Sequence, residues 1–343
     1  MRQRLNTLYV MTQGAYLRRD SETLVVEIEG EKRLQVPRQH FSDVVLFGNV
    51  MFTPGVLQWC SEAGIALTCL SATGRYVCRM VGPTSGNVLL RLAQYRAADC
   101  EQTAFGLARD FVAGKLQNMR STLLRSARDA DDRNAEARLR QAADSMAQAG
   151  SALPRMETTS QVRGTEGDAS NTYFSVFNCM IRTQDRKMWF SGRTRRPPRD
   201  PINALLSFLY ALLSHDCRSA AEAVGLDPQV GFLHALRPGR ASLALDLMEE
   251  LRSVVVDRLA LTLVNREQAR AKEFIHRPGG AVEMSDDLRR SVIEAYQALK
   301  QREITHEFLD QKVTWGEVPL VQSKLLARRL RGELEHYPAF LYR

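Results

Sequence analysis

The chain has 343 residues, which is longer than a single hydrophobic core usually extends, so two domains are expected. Hydrophobic residues make up 44% of the sequence, but no apolar run approaches the roughly 20 residues that cross a bilayer. The N-terminus lacks the apolar block of a signal peptide, so a cytoplasmic location is expected. The net charge of +8 favours an anionic partner, most often nucleic acid.

The six cysteines are scattered, with no C-x-x-C pair and no histidine nearby. This spacing argues against a zinc site and against a disulfide framework. We therefore expect free and mostly buried thiols. The cysteines are Cys60, Cys69, Cys78, Cys100, Cys179 and Cys217.

Strand patterns dominate the first 85 or so residues. TLVVEIE and KRLQVP alternate around Gly30, and IALTCLS and YVCRMVG repeat that pattern around Gly74, which is typical of hairpins. LNTLYVM and AYLRR likewise flank a turn signal at Gly14. Between them, Thr53 followed by proline predicts a short helix that ends near Gly64.

Glycine, proline and serine in residues 82–87 predict a domain boundary, and apolar residues recur at helical spacing from there onward. We therefore predict an α+β fold class, with a small N-terminal β-rich domain at 1–85 and a larger all-α C-terminal domain at 86–343. Residues 150–164 are predicted to be a loop. The predicted helices cover about 88–115, 116–149, 168–190, 201–224, 241–274, 285–300 and 317–335.

The stretch RGTEGDASNTYFSVFN, residues 163–178, contains the first candidate for chemistry. Glu166 lies between Gly164 and Gly167, where a helix is expected to begin, so its carboxylate could point from a tight turn into a cleft. The alternative is an acid that only complements the helix dipole.

The stretch GFLHALRPGRASLALDLMEE, residues 231–250, contains a histidine and three acids. Asp246 and Glu249 are three residues apart and project from the same face of a helix, while His234 lies in the preceding loop. A lone loop histidine is usually structural, and an acidic pair usually faces solvent. The leucines of this helix make it too apolar to be fully exposed, and acids on a buried helix require a cation.

Residues 186–199 place six cations within fourteen residues, beside Trp189 and Phe190. Arginine pairs with phosphate and aromatic rings stack on bases, so this segment is predicted to bind DNA. The alternative is an exposed loop with incidental charge. The predicted DNA contacts, with one further arginine from the second stretch, are Arg186, Lys187, Arg193, Arg195, Arg196, Arg199 and Arg240.

Three motifs in this order, E-G-x-A-S-x-x-Y-F at 166–174, P-I-N-A-L-L-S-F-L-Y at 201–210 and G-F-L-H with S-L-A-L-D-L-M-E-E at 231–250, resemble the universal CRISPR-associated adaptation integrase, specifically its subtype I-C branch. The resemblance covers nearly the whole chain. It implies one divalent ion, Mg²⁺ or Mn²⁺, held by Glu166, His234 and Glu249, with Asp246 as a further catalytic acid close to the metal. Several relatives have aspartate at position 249, so the longer glutamate arm leaves its distance to the metal open.

The resemblance also implies a reaction, in which the 3′-hydroxyl of a short captured duplex attacks a phosphodiester of the CRISPR repeat. The same site would nick branched or single-stranded DNA. A homodimer formed through the N-terminal domain, docked on a small second adaptation protein in a four-to-two heterohexamer, is the implied assembly. Protonation of a histidine ligand would release the metal, so activity is expected to fall below about pH 6.5.

Two other functions fit the same residues. One is a DNA-binding architectural protein with a degenerate site, which would bind DNA in a salt-sensitive way without breaking strands. The other is a stand-alone metal-dependent nuclease for branched or single-stranded DNA.

Overall fold

The computed structural model describes residues 7–41, 43–72, 74, 76–80, 82, 88–130, 132–194 and 196–342. The chain divides into two compact units, Met1–Ser85 and Gly86–Arg343. Strands form most of the first unit and helices most of the second, so the predicted α+β class is confirmed. No helix in the described ranges is long and apolar enough to cross a membrane.

Within its described residues, the first unit contains one α-helix and eight strands. These are β1 (Thr7–Val10), β2 (Tyr16–Asp20), β3 (Thr23–Ile28), β4 (Glu31–Pro37), β5 (Asp43–Phe47), β6 (Met51–Phe52), α1 (Pro54–Ala63), β7 (Ala66–Leu70) and β8 (Tyr76–Met80). One sheet has the order β1-β5-β7-β8 and is parallel except for β8, and the other has the order β4-β3-β2-β6. Apolar side chains from both sheets and from α1 form one core, which includes Leu17, Leu24, Val44, Leu46, Val56 and Trp59.

Two of the predicted hairpins form, β3 with β4 and β7 with β8. The helix α1 also begins as predicted, because the Thr53 side chain accepts a hydrogen bond from the backbone N–H of Val56. The strands that flank Gly14 do not pair with each other. β1 pairs in parallel with β5, while β2 pairs with β3, so the turn at Gly14 carries the chain from one sheet to the other.

All six cysteine thiols are free, as predicted. Cys60 and Cys217 are buried, and burial raises the pKa of the Cys60 thiol to about 11. Cys78 and Cys100 are exposed, so the prediction that most of the thiols are buried is wrong.

The second unit is mostly helical. Its helices are α2 (Val88–Asp99), α3 (Glu101–Arg128), α4 (Arg133–Ala152), α5 (Thr159–Ser175), α6 (Pro201–Val224), α7 (Ser242–Glu249), α8 (Arg258–Asn265), α9 (Asp286–Lys300) and α10 (Val318–Leu330). A π-helical stretch, Arg252–Asp257, joins α7 to α8. Two short hairpins, β9 (Phe274–His276) with β10 (Val282–Met284) and β11 (Glu303–His306) with β12 (Gln311–Thr314), correct the prediction of an all-α domain.

The start of α5 differs from the sequence prediction in a way that affects the site. The helix begins at Thr159 rather than at about 168, because Thr158 and Gln161 form a reciprocal capping box. The prediction of a loop over 150–164 is therefore wrong. Glu166 lies in the interior of α5 rather than in a turn at its start, and the flanking Gly164 and Gly167 are helical.

The long helix α3 organises the second unit. It packs against α4, α5 and α7, and α6 packs against α7 and α10. As a result, α5 and α7, which are far apart in the chain, both lie against α3. The buried positions of α3 include three polar residues, Lys115, Asn118 and Thr122, within a mostly apolar stripe.

Candidate active site

His234 is held in place by the carboxylate of Asp246. The His234 Nδ1 atom lies 2.7 Å from Asp246 Oδ1, which also accepts the backbone N–H of His234 at 3.0 Å. The other oxygen, Oδ2, accepts the backbone N–H groups of Phe232 and Leu233. Because a carboxylate oxygen accepts this bond, Nδ1 carries a hydrogen, and in the neutral form of the ring the Nε2 atom presents a lone pair.

Gly231 allows this close approach of the loop to α7. A Cβ atom at position 231 would lie 2.6 Å from Asp246 Oδ2 and 2.7 Å from the backbone carbon of Ser242. Every side chain larger than hydrogen would therefore push the loop away from Asp246. The glycine of the G-F-L-H motif is required for the orientation of the histidine.

Glu249 lies next to His234 and between two cations. Its Oε1 atom is 3.7 Å from His234 Nε2 and accepts a hydrogen bond from Arg252 Nε at 3.1 Å. Its Oε2 atom lies 2.6 Å from Lys115 Nζ. That ion pair is the contact that Oε2 makes in the interior, where Glu249 is almost completely buried.

Glu166 reaches the same place from α5. Lys115 Nζ donates a hydrogen bond to Glu166 Oε1, and Ser170 Oγ, one helical turn further on, donates to the same oxygen at 2.8 Å. The two glutamates thus share one ammonium group. The structure brings together the three residues predicted to hold a metal, and Asp246 stands behind His234.

The electrostatics of the cluster keep Glu249 ionised. Burial alone would raise its pKa, but the positive charges of Arg252 and Lys115, together with His234, outweigh burial and lower the pKa to about 2. A carboxylate that remains charged in a buried cleft is available to bind a cation across the physiological pH range.

Two residues, Tyr210 and the buried Asp257, lie next to Arg252 and help to fix its position. The Arg252 guanidinium lies 5.1 Å from the centre of the Tyr210 ring, and Tyr210 Oη donates to Asp257 Oδ1 at 2.5 Å. Burial raises the pKa of Asp257 to about 6, although hydrogen bonds from Tyr210 and Tyr173 oppose the rise. Arg252 is therefore anchored on two sides, by Glu249 and by the aromatic ring.

A cavity of about 280 Å³ opens beside His234. Its lining includes Arg163 from α5 and Leu236 from the histidine loop. Arg163 Nε donates to the backbone carbonyl of Leu233, which ties α5 to this loop. His234 lines this cavity, whereas Glu166 and Glu249 do not.

The predicted DNA-binding residues lie in two different environments. Arg186, Lys187, Arg196 and Arg199 are exposed, whereas Arg240 is half-buried. Arg193 turns inward, where its Nη1 atom donates to Asn203 Oδ1 at 2.7 Å and its guanidinium lies over the Tyr210 ring. Arg195 lies outside the described residues.

The two aromatic rings of this basic segment also differ. Trp189 is 51% exposed and lies 5.6 Å from the Arg186 guanidinium, whereas Phe190 is buried against Phe174 and Phe177. Only Trp189 of these two rings is therefore accessible for base stacking.

Sequence reasoning missed the cations of the cluster. It predicted that acids on a buried helix require a cation, but named neither Lys115 nor Arg252. A signal for Lys115 exists, because it falls among Phe111, Leu116 and Met119 on the apolar stripe of α3. A charged residue at such a position must have a partner from another element.

Two carboxylates and an imidazole are a suitable ligand set for a hard divalent cation. Within the described part of the chain, no three such side chains stand close enough together to hold a metal in their present positions. Lys115 Nζ lies between the two glutamates.

Comparison with known proteins identifies the family. The profile described as "CRISPR associated protein Cas1" matches residues 8–298. A CRISPR-associated endonuclease Cas1 from Moorella thermoacetica is 47% identical over 339 residues, which is 99% of either chain. Another, from Rhodospirillum rubrum, is 48% identical over 350 residues and covers both chains completely.

Solved structures share the fold. A Cas1 protein from Thermotoga maritima superposes with a TM-score of 0.83 at 25% identity and covers 97% of this chain and 99% of its own. A casposase bound to an integration product gives 0.83 at 21% identity, over 99% of this chain and 95% of that one. A chain of a "Cas6-RT-Cas1--Cas2 complex" gives 0.82 at 22% identity, over 99% of this chain and 36% of that one. With near-complete matches in sequence and in fold, the chain belongs to the Cas1 family of CRISPR-associated proteins.

Proposed function

We propose that this protein is a divalent-metal-dependent DNA endonuclease and integrase of CRISPR adaptation. It inserts short captured duplexes into the repeat array by transesterification, with a DNA 3′-hydroxyl attacking a phosphodiester. The observation that carries the proposal is the convergence of Glu166, His234 and Glu249, from three separate segments, in one side-chain cluster. Membership of a family whose curated relatives are named endonucleases supports it.

The metal would be held by Glu166, His234 through Nε2, and Glu249, and Mg²⁺ and Mn²⁺ both suit these donors. When bound, such an ion lowers the pKa of an attacking hydroxyl and neutralises charge that develops on the phosphate oxygens. Asp246 holds the imidazole of His234 in the orientation that exposes Nε2. Arg252 keeps Glu249 ionised and fixed in position.

DNA would approach over the basic segment that precedes α6. The exposed Arg186, Lys187, Arg196 and Arg199 are suited to phosphate, and Trp189 offers a ring for stacking. Arg193 would have to break its bonds with Asn203 to reach phosphate, so its expected role in DNA binding is indirect. Arg195 and Arg240 remain predicted contacts.

The proposed assembly of this protein is the one that the family resemblance implies. We infer a homodimer formed through the N-terminal unit, docked on a small second adaptation protein in a heterohexamer, and acting on captured duplex and repeat DNA in the cytoplasm. Fold similarity to a chain of a structure named as a complex with Cas2 is compatible with such a partner. The three ordered motifs favour the subtype I-C branch.

Alanine substitution of each proposed ligand tests the proposal. In E166A, H234A and E249A, strand transfer into a repeat-containing target should fall at least about a thousandfold, equivalent to about 4 kcal/mol of transition-state stabilisation, because the metal is lost. DNA binding should persist. The controls H276A and E303A change exposed residues of the same types in hairpins of the same unit. Full activity in all three ligand variants would contradict the proposal.

The second candidate is a stand-alone nuclease for branched or single-stranded DNA. It is favoured by the word endonuclease in the names of the relatives and by chemistry, because water could replace the 3′-hydroxyl at the same site. Branched DNA and a repeat-containing target should be compared in one assay. Cleavage of the first without strand transfer into the second, in the presence of the partner protein, would favour the nuclease.

A further inference from the structure

Lys115 occupies the centre of the cluster. Its Nζ atom contacts Glu166 Oε1 and lies 2.6 Å from Glu249 Oε2, so one ammonium bridges the two carboxylates. The residue is 5% exposed and projects from the buried face of α3. Bulk water therefore does little to screen these charges.

The two glutamates require this positive charge. Carboxylates that converge in a buried cleft repel each other, and without a nearby cation one of them would take up a proton. Arg252 meets only part of this need, because it binds the Oε1 atom of Glu249 and leaves the side facing Glu166 to Lys115. Lys115 thus holds together two groups that arrive on different helices.

We propose that Lys115 is a positioning residue. In the metal-free protein its ammonium group takes the place of the divalent cation between Glu166 and Glu249, and it competes with that cation for this position. This inference rests on the metal site of the proposed function. Its consequence is a site assembled before the metal arrives, with a lower metal affinity than the same ligands would have without the lysine.

The two cations of the site suit different tasks. Arg252 has a planar fork held by Glu249 on one side and by the Tyr210 ring on the other, so it stays fixed. Lysine is a single point charge on a flexible four-carbon stem, so it can withdraw without breaking a fork of bonds. Lys115 is therefore the cation that a metal ion can displace, and Arg252 is the cation that stays in place.

The substitution K115M tests the competition, because methionine keeps the apolar stem and removes the charge. A matched control exists in K300M, since Lys300 is also buried and pairs with Asp216 at 3.0 Å in the same unit. Mn²⁺ affinity would be measured by titration calorimetry and by Mn²⁺ electron paramagnetic resonance. Thermal midpoints would be recorded in chelator and in Mn²⁺.

We expect K115M to bind Mn²⁺ about tenfold more tightly than the wild type, which corresponds to about 1.4 kcal/mol. Its thermal midpoint in chelator should be lower, because two carboxylates lose their cation, and Mn²⁺ should raise it more than in the wild type. K300M should also be less stable, but its Mn²⁺ affinity should match the wild type. If K115M does not fold without metal, K115Q is measured in its place.

Two negative results have different meanings. Equal or weaker Mn²⁺ binding by K115M, with normal binding by the wild type, would overturn the competition and leave the metal site standing. Absence of Mn²⁺ binding in the wild type and in every variant would overturn the metal site itself, and with it this inference.

Discussion

At the scale of single residues, the site depends on side chains that hold the proposed ligands in position. Asp246 uses both of its oxygens to hold the loop and ring of His234, so its role in the proposed reaction is to orient the histidine. Gly231 permits that contact because it has no side chain. Residues of this kind typically change metal affinity by 10- to 100-fold when they are replaced.

We therefore expect G231A to impair metal binding through His234. The added methyl group would meet Asp246 Oδ2 at 2.6 Å, so the loop must shift, at a cost of about 1–3 kcal/mol in the free energy of unfolding. Calorimetric Mn²⁺ affinity should fall about tenfold or more. G164A is the matched control, because a methyl group there meets no atom within 4 Å, and it should stabilise the helix by up to about 1 kcal/mol. Unchanged Mn²⁺ affinity in G231A would contradict the orienting role of Asp246.

At the scale of elements, the end of the chain locks α3 and α7 together. We call residues 337–342 the C-terminal strap. Glu250, next to the proposed ligand Glu249, accepts hydrogen bonds from Tyr337 Oη at 2.6 Å and from the backbone N–H of Phe340 at 2.6 Å. From α3, Asn118 Nδ2 donates to the carbonyls of Glu250 and Phe340.

A glycine on α3 makes room for the strap. A Cβ atom at Gly114 would lie 2.6 Å from the Cβ of Ala339, so a larger residue there would displace the chain end. The strap thus packs directly against the turn of α3 that carries Lys115. The helices that carry Lys115 and Glu249 are fixed relative to each other by these contacts.

The strap contact predicts a pH dependence of stability. Burial raises the pKa of Glu250 to about 7, despite donors from Tyr337, Phe340 and Gln322. Between about pH 4.5 and pH 7 the folded state keeps a proton that the unfolded state has lost, so this group destabilises the fold as pH rises, by on the order of 3 kcal/mol across the window.

Urea unfolding at pH 5, 6, 7 and 8 would measure this dependence. In E250Q, which has no proton to lose, the fall in the free energy of unfolding with rising pH should be correspondingly smaller than in the wild type. The control E303Q, at an exposed glutamate, should keep the slope of the wild type. Parallel curves for E250Q and the wild type would refute the assignment to Glu250.

At the scale of the whole molecule, some of the cations that contribute to the net charge of +8 pack inside the fold instead of facing solvent. The guanidinium groups of Arg193 and Arg252 both lie against the Tyr210 ring, 5.3 Å and 5.1 Å from its centre. The exposed cations Arg186 and Lys187 are available to an anionic partner. Charge counted from the sequence therefore overstates the number of phosphate contacts.

The salt dependence of DNA binding distinguishes the cations that pack inside the fold from the exposed cations. Each phosphate contact contributes about 0.9 to the slope of log affinity against log salt concentration on duplex DNA. R186Q combined with K187Q should lower that slope by about 2, whereas R193Q should reduce stability and leave the slope nearly unchanged. R140Q, at an exposed arginine already paired with Glu136, serves as the control. An unchanged slope in the double variant would exclude this segment as the DNA track.

Much of the fold was predictable because it depends on local patterns. The helix α6 has the predicted bounds, since Pro201 starts it and Gly225 follows its end. The hairpins around Gly30 and Gly74 follow from short strand-forming runs on either side of a glycine turn. The predicted start of α5 was too late, although the sequence contains the signal for the observed start, the capping box of Thr158 and Gln161. The two glycines beside Glu166 favoured the later start.

The sequence by itself predicted a β-rich first part and a mostly helical second part and, through the family resemblance, named Glu166, His234, Asp246 and Glu249 as candidate site residues. Only the tertiary structure decided what surrounds them, because the cation that binds the two glutamates comes from α3, more than fifty residues before Glu166 in the chain. Spacing along a chain gives the face of a helix that a residue occupies, but not the helix that will pack against it. The balance of charge in the cleft, with Lys115 between two carboxylates, therefore became visible only in the folded molecule.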